Sequence, residues 1–176
     1  MSRARESEAP DAVKIITDNS ADLLAYFERR ADDGEAADLL SETMFTAWRR
    51  SDAMPTEHTE ARMWLFGIAR LTLANAQRSS LRRWRLADRL RGHLLAHPST
   101  HDDAEAIDVR DAVRRLPAEH RDLIGLVHWE GFSLVEAAQI IGIPASTARG
   151  RYQAARHRLV SVLSQHESPA PSRGAS

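Results

Sequence analysis

Apolar residues recur at intervals of three and four along most of this chain, with polar residues between them, and no stretch alternates as a strand would. In residues 22–30 the stripe is Leu23, Leu24, Tyr26 and Phe27, and Asp32, Asp33 and Gly34 then mark a turn. Residues 35–50 predict a second helix, with Ala37, Leu40, Met44, Ala47 and Trp48 inward and Asp38, Ser41, Glu42 and Arg49 on the other side. A polar loop with Pro55 follows at 51–60. From 61 to about 91 the pattern is helical again, and Trp64, Leu65, Phe66, Ile68, Ala69, Leu71 and Leu73 would make it the core of a first domain. Residues 92–105 lose this periodicity and carry Pro98, Ser99 and Thr100, as a linker would. Helices at 107–115 and 119–130 then open a second domain. The expected fold is all-α, with two small helical domains at 21–91 and 107–166. A flexible linker at 92–106 would join them, and the ends, 1–20 and 167–176, are expected to be disordered.

Residues 133–158 have the grammar of a helix-turn-helix. Ser133 can cap a helix whose apolar positions are Leu134, Ala137, Ala138 and Ile141. Gly142 supplies the left-handed residue that closes it, and Pro144 restarts the chain where proline is tolerated. Ala138 and Gly142 suggest a close approach of two helices. The next helix begins near Ala145, with Ala148, Tyr152, Ala155, Leu159 and Val162 inward and Ser146, Arg149, Gly150, Gln153, Arg156 and His157 outward. One face can pack while the other reads DNA. A plain two-helix hairpin shows the same stripe, and the motif by itself also fits a stand-alone helix-turn-helix transcriptional regulator.

The net charge of −1 over 176 residues conceals a strong segregation. Residues 61–87 hold six arginines (Arg62, Arg70, Arg78, Arg82, Arg83 and Arg85) and no acid. Residues 137–166 hold Arg149, Arg151, Arg156 and Arg158, again with no acid. The two stretches hold ten of the 24 basic residues, so the remainder is strongly acidic. Surfaces that meet phosphates would thus be kept free of acid while the rest repels DNA. Lys14 is the sole lysine; a bias toward arginine codons accounts for that ratio as well as bidentate recognition does. No cysteine is present, which excludes disulfides, thiol catalysis and cysteine zinc sites. The first twenty residues contain no apolar run, so neither a signal peptide nor membrane insertion is expected, and the localisation expected is cytoplasmic.

Two separated stretches resemble one family. Residues 38–48, DLLSETMFTAW, and residues 64–70, WLFGIAR, with Leu73, Ala74 and Asn75, are similar to region two of the extracytoplasmic-function (ECF) sigma factors of bacterial RNA polymerase. Residues 116–121, 131–138 and 142–149 resemble region four of the same family, in the same order and at a compatible spacing. The resemblance implies an alternative sigma factor that binds core RNA polymerase through its clamp and flap, recognises the minus-thirty-five element and melts the minus-ten element of promoter DNA. It implies polymerase binding by Asp38, Ser41, Glu42 and Trp48. Contacts to the minus-ten element would come from Arg62, Trp64, Arg70, Asn75, Arg78 and Arg82, with the 51–60 loop beside a flipped base. Contacts to the minus-thirty-five element would come from Ser146, Thr147, Arg149, Gly150, Arg151, Gln153 and Arg156 in the major groove. An anti-sigma factor is a further partner that the resemblance implies. Gly67, Leu71, Ala148, Tyr152 and Ala154 differ from residues common in the family, so promoter sequence does not follow from it.

Other features have simpler explanations. Trp48 and Trp64 fit a helix core as well as they fit a partner surface, and Trp84, among Arg82, Arg83, Arg85 and Arg89, suits either base stacking or packing under the linker. His93, His97 and His101 read as solvated linker histidines rather than zinc ligands, and Asp102, Asp103, Glu105, Asp108 and Asp111 as a solvated acidic run. No phosphate loop, metalloprotease helix or nucleophile elbow occurs, so the expectation is no enzyme, no cofactor and no metal.

Overall fold

The computed structural model describes residues 5–32, 34–91 and 109–166. Among them only helices occur: α1 (Arg5–Asp18), α2 (Ser20–Glu28), α3 (Ala36–Arg49), a 3-10 turn (Ser51–Ala53), α4 (His58–Arg91), α5 (Val109–Arg114), α6 (Ala118–His128), α7 (Leu134–Ile141) and α8 (Ala145–His166). The chain divides into two compact units, Met1–Ala96 and His97–Ser176. Residues 92–108 and 167–176, which carry the linker and tail expectations and the histidines at 93, 97 and 101, lie outside the described residues.

The first unit is organised by α4, whose 34 residues span about 50 Å at 1.5 Å per residue. Helices α2 and α3 pack on one another and on the first half of α4. Ala47, Ala61 and Ala69 are fully buried, and such short side chains permit a small interaxial distance. Around them lie Leu23, Phe27, Leu65 and Phe66, with Tyr26 meeting both Phe27 and Phe66 edge-on at ring separations of 5.4 and 5.6 Å.

Three expectations for this unit are corrected. Residues 1–20 were expected to be disordered, yet 5–18 form α1, which lies against α3 and α4. Ala12, Ile16 and Asn19, spaced by four and three, make a narrow stripe that a largely polar composition hides; Ile16 joins Ala47, Leu65 and Ile68 in one apolar cluster. The inner row of α3 is Leu39, Thr43 and Ala47, with Leu40 and Met44 half-buried, whereas Ala37 and Trp48 face outward. The polar hydroxyl of Thr43 misdirects a reading by hydropathy: the side chain is fully buried, and its Oγ1 has no hydrogen-bond partner. Finally, α4 starts at His58, three residues earlier than expected, because Glu57 caps it. The Glu57 carboxylate accepts the Glu60 backbone N–H at 2.8 Å, and this bond, reinforced by the Thr59 backbone, lowers its pKa below the usual carboxylate value.

In the second unit α6 and α7 pack against α8, and α5 lies against α6 and α8. Val113, Leu116, Ile124 and Ala155 form its centre, with Trp129, Tyr152 and Leu159 partly buried around them. The Ser133 hydroxyl accepts the Glu136 N–H while the Glu136 carboxylate accepts the Ser133 N–H at 2.6 Å, a reciprocal cap that starts α7. Gly142 closes α7 in the left-handed conformation at φ +80°. The expected close approach at Gly142 is absent, since an added Cβ there would meet nothing within 4 Å. The glycine is present for its dihedral and not for its size.

Candidate nucleic-acid interface

The outer face of α8 follows directly from its inner one. Ala148 and Ala155 are fully buried and Tyr152 and Leu159 half-buried, which turns Ser146, Arg149, Gly150, Gln153 and His157 to solvent on the opposite side. Thr147 is also exposed, on the flank. Tyr152 is tethered from below, its hydroxyl 2.8 Å from His128 Nε2 of α6. Of the remaining expected contact residues, Arg151 is drawn aside, while Arg156 stays exposed at the rim of a groove. Arg151 Nη2 is 2.9 Å from Glu119 Oε2 on α6, and Arg156 lines an apolar groove with Val113, Ile124, Trp129, Leu159 and Leu163. That groove, about 300 Å³ in volume, was not foreseen, because its walls come from helices far apart in sequence.

On α4 the structure separates the expected residues. Trp64, Leu71, Asn75, Arg78 and Arg82 recur at intervals of three, four and seven and share one stripe, which Arg85 extends. Leu71 and the residues from Asn75 onward in this stripe are exposed, while Trp64 is half-buried against the Ile16 cluster. Arg78 donates to Asn75 Oδ1 at 2.6 Å and Arg82 to Ser79 Oγ at 3.1 Å, both uncharged acceptors. Arg62 lies on the far side of the helix, bonded to Asp22 Oδ2 at 3.2 Å and stacked 5.0 Å over the Phe66 ring. Arg70 is likewise off the stripe by helical spacing. Spacing alone could have found this, since 62 and 70 fall out of phase with 71, 75, 78 and 82.

Helix α3 carries a third exposed surface. Asp38, Ser41, Glu42 and Trp48, the residues expected to bind polymerase, all face outward, and Phe45 joins them. Phe45 and Trp48 are each 56% exposed, with ring centroids 6.3 Å apart, and the Arg49 guanidinium lies 5.6 Å over the Phe45 ring. Two large exposed aromatics beside two carboxylates form an amphipathic patch of the kind that partners cover. Phe45 was not among the expected residues of this surface, although it is in phase with Asp38, Ser41 and Glu42.

No helix among the described residues is long and apolar enough to cross a membrane, and none of their side chains cluster as a metal site.

A domain that places an acid-free helix face behind a capped two-helix turn, in a chain with a second basic helix, belongs among transcription factors, and comparison with known proteins specifies the class. Residues 106–159 match the family model described as Sigma-70, region 4. The chain is 32% identical over 130 residues to the ECF RNA polymerase sigma factor EcfG of Rhodopseudomonas palustris, covering 73% of this chain and 71% of that one. It is 28% identical over 170 residues to SigL of Mycobacterium tuberculosis, another ECF RNA polymerase sigma factor, covering 94% and 96% of the two chains. Among solved structures, the sigma factor RpoE in complex with the anti-sigma factor NepR from Bartonella quintana superposes with a TM-score of 0.65 at 26% identity, over 88% of this chain and 95% of that one. The chain belongs to the ECF RNA polymerase sigma factors.

Proposed function

We propose that this protein directs core RNA polymerase to a dedicated set of promoters, with the work divided between its two units. The exposed row Ser146, Thr147, Arg149, Gly150 and Gln153 reads the minus-thirty-five element in the major groove, with Arg149 and Gln153 as the groups able to make paired hydrogen bonds to guanine and adenine edges. Asn75, Arg78 and Arg82 hold the separated strand of the minus-ten element, where binding offsets the unstacking of bases. The α3 patch of Asp38, Ser41, Glu42, Phe45 and Trp48 docks on the polymerase clamp, and the apolar groove of the second unit receives the flap. The protein then acts by binding alone, in the cytoplasm with the polymerase. An anti-sigma factor, the kind of partner that the RpoE structure contains, would cover these same surfaces until it is released.

The observation that carries this reading is the pairing, in one chain, of an acid-free reading helix with a second, acid-free arginine stripe. A stand-alone regulator needs only the first; it leaves α1 to α4 without a role, whereas the SigL likeness runs through both units. Transcription by purified core polymerase from a library of promoter fragments, with and without this protein, is the direct test. New transcripts that depend on it are expected. Tight binding to duplex DNA by the free protein, without any new transcript, would favour the stand-alone regulator.

A further inference from the structure

Helix α8 is tied to α6 at two points that pull in different directions. The Tyr152 hydroxyl lies 2.8 Å from Nε2 of His128, the last residue of α6, and the two ring planes are inclined by only 15°. Arg151 Nη2 lies 2.9 Å from Glu119 Oε2, at the other end of α6 and about 13 Å from His128 along its axis. Neighbouring side chains leave a helix about 100° apart, and the buried Ala148 and Ala155 fall between these two directions. Rolling α8 about its axis in either sense therefore lifts one of the two side chains off α6. The alanines set how near the helices come, but a methyl group so close to the axis gives little resistance to roll. A turn of about 10° would sweep side-chain ends lying about 5–6 Å from the axis through about 1 Å. Paired hydrogen bonds to a base edge tolerate only about a few tenths of an ångström.

We propose that His128 and Tyr152 are positioning residues for promoter reading: their hydrogen bond fixes the roll of α8 and thereby the register of Arg149 and Gln153 on base edges. Tyr152 stands beside Gln153 and one turn after Arg149, so it shares their flank of the helix, whereas Arg151 stands on the other. An aliphatic side chain could fill the space of its ring; the hydroxyl adds direction, because a hydrogen bond weakens steeply as it bends. Neither residue has to touch DNA, since Tyr152 is half-buried beneath the reading row and His128 belongs to α6. His128 is solvent-exposed, so water can replace a lost hydroxyl and the bond adds little to the stability of the fold. Its effect falls on discrimination between sequences. This rests on the minus-thirty-five role proposed for α8 and adds to it a pair that acts from behind the reading face.

The test uses holoenzyme reconstituted from core polymerase and the full chain, with a promoter recovered by selection from random-sequence DNA. Three duplexes are compared: the selected upstream element, the same element with single base-pair changes, and a random sequence. Tyr152→Phe, which removes only the hydroxyl, is expected to lower discrimination between the first two about three- to tenfold, the range of one neutral hydrogen bond. Affinity for the random duplex, core association and the melting temperature of the free protein should stay unchanged. His128→Ala should lower the discrimination ratio equally, and the double variant no further than either single one. His128→Gln, whose amide can reach the place of Nε2, should restore most of it. Unchanged discrimination in Tyr152→Phe would overturn the proposal, as would additive losses in the double variant. Equal losses on selected and random duplexes would overturn it in favour of a purely structural role. A wild-type holoenzyme that selects no promoter at all would instead overturn the sigma-factor reading.

Discussion

The Arg151 guanidinium lies 2.9 Å from the Glu119 carboxylate and fastens α8 to the first turn of α6. Both groups are partly solvent-exposed, so the pair is worth about 0.2–1 kcal/mol to the fold, but it removes one cation from the pool available to phosphates. Arg149, two residues earlier, is exposed on the outer face. Arg149→Ala should therefore cost holoenzyme about tenfold in affinity for its upstream duplex element, and Arg151→Ala clearly less. Glu119→Gln should steepen the salt dependence of DNA binding by up to about one counterion. Anisotropy titrations of labelled duplex at several salt concentrations read all three, and equal losses for Arg149→Ala and Arg151→Ala would contradict the assignment.

On α3, Phe45 and Trp48 are exposed and contribute little to the core. Phe45→Ala and Trp48→Ala should change the stability of the free protein by no more than about 0.5 kcal/mol. Each should weaken association with core polymerase about tenfold or more, as aromatic anchors do, and Asp38→Arg should act in the same direction by reversing charge. Co-elution with core, set beside thermal melts of the free protein, separates the two effects. Normal co-elution of the double aromatic variant would remove this patch from the docking surface.

Ile16 and Thr43 make opposite predictions for the first unit. Truncating Ile16 to alanine empties a buried site shared with Ala47, Leu65 and Ile68 and should cost about 2–4 kcal/mol. Thr43→Val replaces a buried, unbonded hydroxyl with a methyl group of similar shape and should stabilise by about 1 kcal/mol. Denaturant titrations measure both. A silent Ile16→Ala would mean that α1 is not part of the core.

The start and the end of α7 should fail differently. Ser133→Ala loses the reciprocal cap and should cost about 1 kcal/mol. Gly142→Ala meets no steric obstacle but must hold a left-handed backbone, which costs about 1–2 kcal/mol. Calorimetry of the full chain should show both losses in the transition of the second unit.

Much of this architecture was legible in the sequence because helices announce themselves twice, by period and by punctuation. Ser133, Gly142 and Pro144 mark the ends of α7 and α8 with residues whose backbone chemistry admits few other uses. The errors lay where hydropathy and burial part company. Thr43 is polar and buried, Trp48 is apolar and exposed, and α1 reaches the core through Ala12 and Ile16 alone, with Asn19 just past its end, in an otherwise polar segment. At the candidate interfaces, residue type and helix were readable, but pairing was not: nothing near Arg62 or Arg151 in sequence names Asp22 or Glu119 as a partner. The groove beside Arg156 depends on Val113, Ile124 and Leu159 meeting in space, which periodicity alone does not report.

The empty space around Gly142 carries an evolutionary consequence. The direction in which α8 leaves the turn is set by a backbone dihedral and by the buried alanines at 148 and 155, and none of these touches the outer face. Side chains at 146, 149, 150 and 153 can be exchanged without tilting the frame that presents them. A lineage of such proteins can acquire new target sequences by rewriting four letters of one helix, while its grip on a common partner passes down unaltered.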